Sequence, residues 1–245
     1  MPLFTITSLL PVAIVVVIAL VSARYMVRNT STTDSHEFAS IDGLRGFLAL
    51  LVFIHHSIYW FSYAQTGNWK FASSSLFMNF GHASVSLFFM LTGFLFSLKL
   101  IDGRTIEIDW LRLYCSRLMR LTPLYFLLCV GIFTIVAYDS HFVSYEPTEK
   151  LISNTIDWLL FVIPGHPDIN NHDATHLIPA GVVWTLPYEW YFYLMLPLLG
   201  LIIGSKSKTA SGIWLILSMA CLTSFNYWKL DVDLLYAFAG GTTAA

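Results

Sequence analysis

Six apolar stretches govern what this chain can become: about 4–23, 43–63, 76–98, 121–139, 181–203 and 210–228. A helix needs about 20 apolar residues to cross the ~30 Å hydrocarbon core of a bilayer, and each stretch comes close to that or exceeds it. Inside hydrocarbon every backbone N–H and C=O must bond within the spanning element, so runs of this length predict α-helices. The fold class that follows is all-α, a polytopic integral membrane helix bundle. A seventh stretch, 151–163, is too short to cross and reads as re-entrant or interfacial. An eighth opens near Leu234 and stops where the chain stops.

Composition agrees. Charged residues are 11% of the 245 residues and hydrophobic ones 56%, with a mean hydropathy of +0.67. A soluble domain carries about 25% charged residues. A net charge of −2 gives a nucleic acid nothing to bind to, so membrane lipids are the first partners expected. Cys115, Cys129 and Cys221 have neither metal-ligand spacing nor the pattern of a disulfide framework, and read as small residues of a membrane core. His166, His172 and His176 are irregularly spaced in the long acidic segment 139–180, and read as solvated surface. No metal is expected.

Positive charge sets an orientation. With segment 24–42 cytoplasmic, ten basic residues lie inside: Arg24, Arg28, Arg45, Lys99, Arg104, Arg112, Arg117, Arg120, Lys206 and Lys208. Only three, Lys70, Lys150 and Lys229, lie outside. That is a strong positive-inside bias, and it requires 151–163 not to cross. Residues 1–23 lack the basic start of a cleaved signal and read as an anchor helix with its N-terminus outside. The chain then divides into an anchor and polar linker, 1–40, and a membrane domain, 41–245.

Polar residues inside spans are the candidates for function, because lipid is a poor environment for them. Arg45 and His56 are eleven residues apart in the run 42–56, just over three helical turns. Both therefore fall on one face, roughly 16 Å apart along the axis. Arg45 can snorkel to the membrane edge, or it can hold a phosphate or thioester oxygen through paired hydrogen bonds. His56 lies about 20° from Arg45 around the helix, His55 about 80°. A histidine here is either a bonded core residue or a general base, and imidazole titrates near working pH. Arg117 and Arg120, three apart, share a helix face with Arg112 nearby; they read as a basic edge facing anionic lipid or as a phosphate pocket. Pro123 is expected in the first turn of the fourth span, where a proline is tolerated. Glu189 sits inside the fifth span and could orient His56, bind an acceptor, pair with an arginine, or be a protonated structural residue. Trp184 and Tyr188 read as interfacial belt aromatics. Asp42 reads as a helix cap.

Four segments, in order, carry a resemblance. Ile41-Asp42-Gly43-Leu44-Arg45-Gly46 with His56 is the first, and Val85-Ser86-Leu87-Phe88-Phe89-Met90-Leu91-Thr92-Gly93-Phe94 the second. The third is Arg117-Leu118-Met119-Arg120-Leu121-Thr122-Pro123-Leu124-Tyr125. The fourth is Trp184-Thr185-Leu186-Pro187-Tyr188-Glu189-Trp190-Tyr191-Phe192-Tyr193, followed by Pro197. Together they resemble the family 3 membrane acyltransferases of the O-antigen and peptidoglycan O-acetylase type. Where that family carries Gly-Val before the Phe-Phe pair, this chain has Ser84-Val85, and its final residues resemble the start of a further family helix, as in a truncated member. The resemblance implies transfer of an acyl group, acetyl from acetyl-CoA, from the cytoplasmic side to a hydroxyl of a cell-envelope glycan or glycolipid, in a bacterial inner membrane. It implies His56 as general base with Glu189 in support, and Arg45, Arg117 and Arg120 holding the acyl-CoA donor. A transporter for an anionic ligand and an inactive truncated scaffold are the rival readings. Acceptor, acyl length and oligomeric state are left open.

Overall fold

A computed structural model describes residues 9–29, 39–69, 75–207, 211–224 and 230–245. It is all-α, as the apolar runs require. The helices are α1 (Leu9–Asn29), α2 (Ala39–Thr66), α3 (Ser75–Asp102), α4 (Trp110–Asp139), α5 (Thr148–Leu159), α6 (Leu186–Ile203), α7 (Ser211–Thr223) and α8 (Val232–Thr243). Short 3-10 turns at Thr175–Leu177 and Val182–Thr185 precede α6. Among the described residues four helices are long and apolar enough to cross a membrane: Ser40–Thr66, Ser75–Asp102, Trp110–Asp139 and Val182–Ile203. The first and last expected spans yield the shorter apolar segments Val12–Tyr25 and Gly212–Thr223. Residues 1–8 and 30–38, and with them most of the expected linker, lie outside the described residues, as do Lys70, Lys208 and Lys229.

The chain forms two compact units, one up to Leu91 and one from Thr92 onward. In the first, α3 presents Phe77, Gly81, Ser84 and Val85 as a buried stripe at helical spacing. α2 answers with Leu48, His55 and Tyr59, where Leu48 and Tyr59 are buried and His55 is half-buried. The His55 ring rests where a side chain at residue 81 would have to stand: a Cβ there would be 2.7 Å from its Nε2. Glycine is what lets these two helices meet.

In the second unit the C-terminal half of α3 packs Phe96 and Leu100 against α6. Phe96 meets Phe192 and Tyr193 at ring distances of 5.9 and 5.4 Å. The α8 helix stacks Phe238 on Phe192 at 4.4 Å. The Tyr114 hydroxyl ties α4 to α6 by donating to the Tyr193 carbonyl, 2.9 Å, while its ring stacks on Trp214 of α7.

The fourth span begins eleven residues earlier than the hydropathy pattern predicts. Asp109 caps α4, its carboxylate accepting from the Arg112 N–H at 3.0 Å, which satisfies an amide the helix start leaves unpaired. Pro123 is therefore not in a first turn. It lies in the helix interior, where it removes the N–H that would bond the Met119 carbonyl.

The segment after α4 is a folded cap. Tyr125, Cys129, Ile132 and Val136, one stripe of α4, close over Trp158, Val162, Ile169 and Val183. Trp158 is fully buried; its Nε1 donates to the Pro167 carbonyl at 2.8 Å, and its own carbonyl accepts from Tyr125 at 2.5 Å. The Glu146 carboxylate accepts from Lys150, Asn154 and the Asn171 N–H. Asn170, in a left-handed conformation that asparagine tolerates, bonds the backbone of Val143 and Tyr145. The 12 residues of α5 span about 18 Å, too little to cross a bilayer.

Candidate functional site

His55 and His56 sit side by side on α2, their rings edge to face at 5.1 Å. The His55 Nδ1 is 2.7 Å from the Phe77 carbonyl oxygen. A carbonyl can only accept, so the proton is on Nδ1 and His55 is committed to joining α2 to α3. Both histidines are half-buried, as is Arg45 three turns earlier on the same helix. Asp42, expected as a cap, is in the first turn of α2, which starts at Ala39. A carboxylate there still meets the positive end of the helix dipole.

The second unit gathers the other candidates. Glu189 stands in the first turn of α6, immediately after the 3-10 turn, again at a helix N-terminus. One helical turn on, the Tyr193 hydroxyl donates to its Oε2 at 3.1 Å. Tyr193 also lies within the electrostatic reach of Arg117 and Arg120. The Arg117 guanidinium sits over the Phe96 ring, 4.8 Å from its centroid, an attraction between cation and π-face. Its Nε is buried without a hydrogen-bond partner among the described residues. Arg117, Phe96, Tyr193 and Glu189 thus form one connected set.

Two cavities flank that set, and they divide the arginine pair. A polar cavity of about 480 Å³ is lined by Lys99, Arg112 and Arg117 together with Asp102, Glu107 and Asp109. A backbone clasp walls it: Ile108 N–H donates to the Lys206 carbonyl and Lys206 N–H to the Gly103 carbonyl, while Arg104 Nε donates to the Ile203 carbonyl. An apolar groove of about 650 Å³ runs along α4 beside residues 178–186, with Arg120 at one end. Arg117 lines the first cavity and Arg120 the second.

With this geometry in hand, one comparison decides the family. The acyltransferase domain of family 3 matches residues 38–243. The chain belongs to that family. A comparison with curated proteins and one with solved structures each found no match. Membership in the acyltransferase family carries a general membrane acyltransferase activity and an acyl-CoA type of donor. Among the described residues no group of three or more His, Cys, Asp or Glu is placed to hold a metal ion. The His166 and His176 rings meet at 4.9 Å, while His172 pairs with Asp139 at 3.2 Å. Burial, then the neighbouring His166, holds the His176 pKa below 6.5, against the opposing charge of Asp168.

Several residues here escaped the sequence reading. Lys99 counted only as an inside charge and Arg112 only as a neighbour of the arginine pair, yet both line the polar cavity. Tyr193 and Phe96 carried no assigned role; the four-residue spacing of Glu189 and Tyr193 was the available signal. Tyr188 is not a lipid-facing belt residue. It is buried, and its hydroxyl accepts from the Asp231 N–H at 2.8 Å.

Proposed function

We propose that this acyltransferase moves an acetyl group from cytoplasmic acetyl-CoA to a hydroxyl of a cell-envelope glycan or glycolipid, in a bacterial inner membrane. The observation that carries the reading is the polar cavity of Lys99, Arg112 and Arg117 at one end of α4. Three cations converging beside the helix suit the phosphates of coenzyme A, for which arginine offers paired hydrogen bonds. The family resemblance assigns Arg45 to the donor. Arg120, deeper along α4, adds to the positive field at Tyr193.

His56 is the general base. It takes the proton of the acceptor hydroxyl as that oxygen attacks the thioester carbonyl carbon. The tetrahedral intermediate then collapses, the C–S bond breaks, and coenzyme A leaves as the thiol after taking up a proton. The bond between His55 and the Phe77 carbonyl supports this assignment, because it gives His55 a structural task between α2 and α3. Glu189, held by Tyr193, is the counter-charge that keeps the arginines oriented before the donor arrives.

Titration of the purified chain with coenzyme A tests the donor site. Arg117→Ala is expected to raise the dissociation constant by about tenfold or more, the worth of one charge-assisted hydrogen bond. Unchanged affinity in a folded Arg117→Ala variant would remove the cavity from the mechanism.

A further inference from the structure

Among the described residues, Arg120 is the only charged one lining the apolar groove along α4. The rest of the lining is almost entirely hydrocarbon: on the α4 side Leu124, Leu128 and Ile135 above a floor of Tyr125 and Ile132, and on the far side Ile178, Val182 and Leu186. From Arg120 to Ile135 the groove follows about 22 Å of helix. Its volume of about 650 Å³ lies in the range of built small-molecule sites. At Gly131 the groove has room to spare, since a Cβ there would meet nothing within 4 Å.

A lone cation at the end of a long apolar trough is complementary to one kind of molecule, an amphiphile with an anionic head and a long chain. Pantetheine fits poorly, because its two amides would lose water along a wall that offers them almost no partners. We propose that the groove is a binding site for a single anionic phospholipid, with its phosphate on Arg120 and one acyl chain along α4 between Leu124 and Ile135. The site shares Arg120 with the acyl transfer reading but uses neither the polar cavity nor either α2 histidine, so lipid retention and acyl transfer are read separately.

The test is native mass spectrometry of the full chain released from nanodiscs of equal phosphatidylglycerol and phosphatidylcholine. The wild type is expected to retain one phosphatidylglycerol. Gly131→Trp, which sets a bulky side chain into the trough from a position whose Cβ has open space, is expected to lower that retention at least tenfold, and Gly131→Leu to lower it less. Gly212→Trp, at another glycine with open space around it, is expected to behave as wild type. Arg120→Gln is expected to keep a lipid but bind the two headgroups equally. No retained lipid in the wild type, full retention in Gly131→Trp, or a phosphatidylglycerol preference that survives Arg120→Gln would overturn the proposal. So would replacement of the lipid by equimolar palmitoyl-CoA, which would assign the groove to a donor chain.

Discussion

Glu189 and Tyr193 show how single residues make a carboxylate tolerable within a spanning segment. The carboxylate starts a helix, so the dipole favours its charge, and the phenol one turn on gives it a hydrogen bond. A bond to a charged group contributes about 1.5–3 kcal/mol. Tyr193→Phe keeps the ring against Phe96 and deletes the donor, so turnover of the chain is expected to fall about tenfold and thermal unfolding to shift down by a few degrees. Coenzyme A release and circular dichroism check the two halves of that expectation, and unchanged turnover would make the pair purely structural. At this scale the sequence was legible where a residue type is costly in lipid: Arg45, His56, Arg117, Arg120 and Glu189 all stand out of apolar runs. Their sorting was not legible. Arg117 and Arg120 share a helix face in the sequence, yet neighbours contributed by distant segments assign them to different cavities.

At the scale of elements, α8 depends on a single glycine. A Cβ at residue 93 would stand 2.3 Å from the Phe238 carbonyl oxygen, which is backbone and cannot swing aside. Gly93→Ala therefore forces α3 and α8 apart and is expected to cost about 1–3 kcal/mol. Hydrogen exchange of the amides of Val232–Thr243 should accelerate; protection equal to wild type would mean the contact relaxes without strain. The four long helices were legible in the sequence because hydropathy reads burial in lipid directly. It hid the true start of α4, since Arg112, Arg117 and Arg120 depress hydropathy over the very turns that Asp109 caps. The fold of the segment after α4 was equally hidden. It rests on Glu146, Asn154 and Asn170 bonding backbone across gaps of many residues, and such bonds leave no periodic trace.

Across the whole molecule, charge and titration separate the polar cap from the spanning helices. His176 has its pKa held below 6.5 in the folded chain, by burial first and by His166 next. A base that protonates less readily when folded favours the unfolded state as pH falls through 6.5, so stability is full above that pH and declines on acidification. His176→Gln is expected to flatten that slope below about pH 6.5, read by thermal unfolding at each pH; an unaltered slope would move the titrating group elsewhere. The central claim concerns the other histidine pair, and coenzyme A release from acetyl-CoA tests it most directly. The purified chain would be assayed with a mixed cell-envelope glycan fraction, comparing wild type, His56→Ala and His55→Ala. Loss of a general base lowers rates by about 10²- to 10⁴-fold, so His56→Ala is expected to lose turnover at that scale. His55→Ala, which removes the tie to Phe77 and the ring packed over Gly81, is expected to retain most of it. Full turnover in a folded His56→Ala variant would contradict the account.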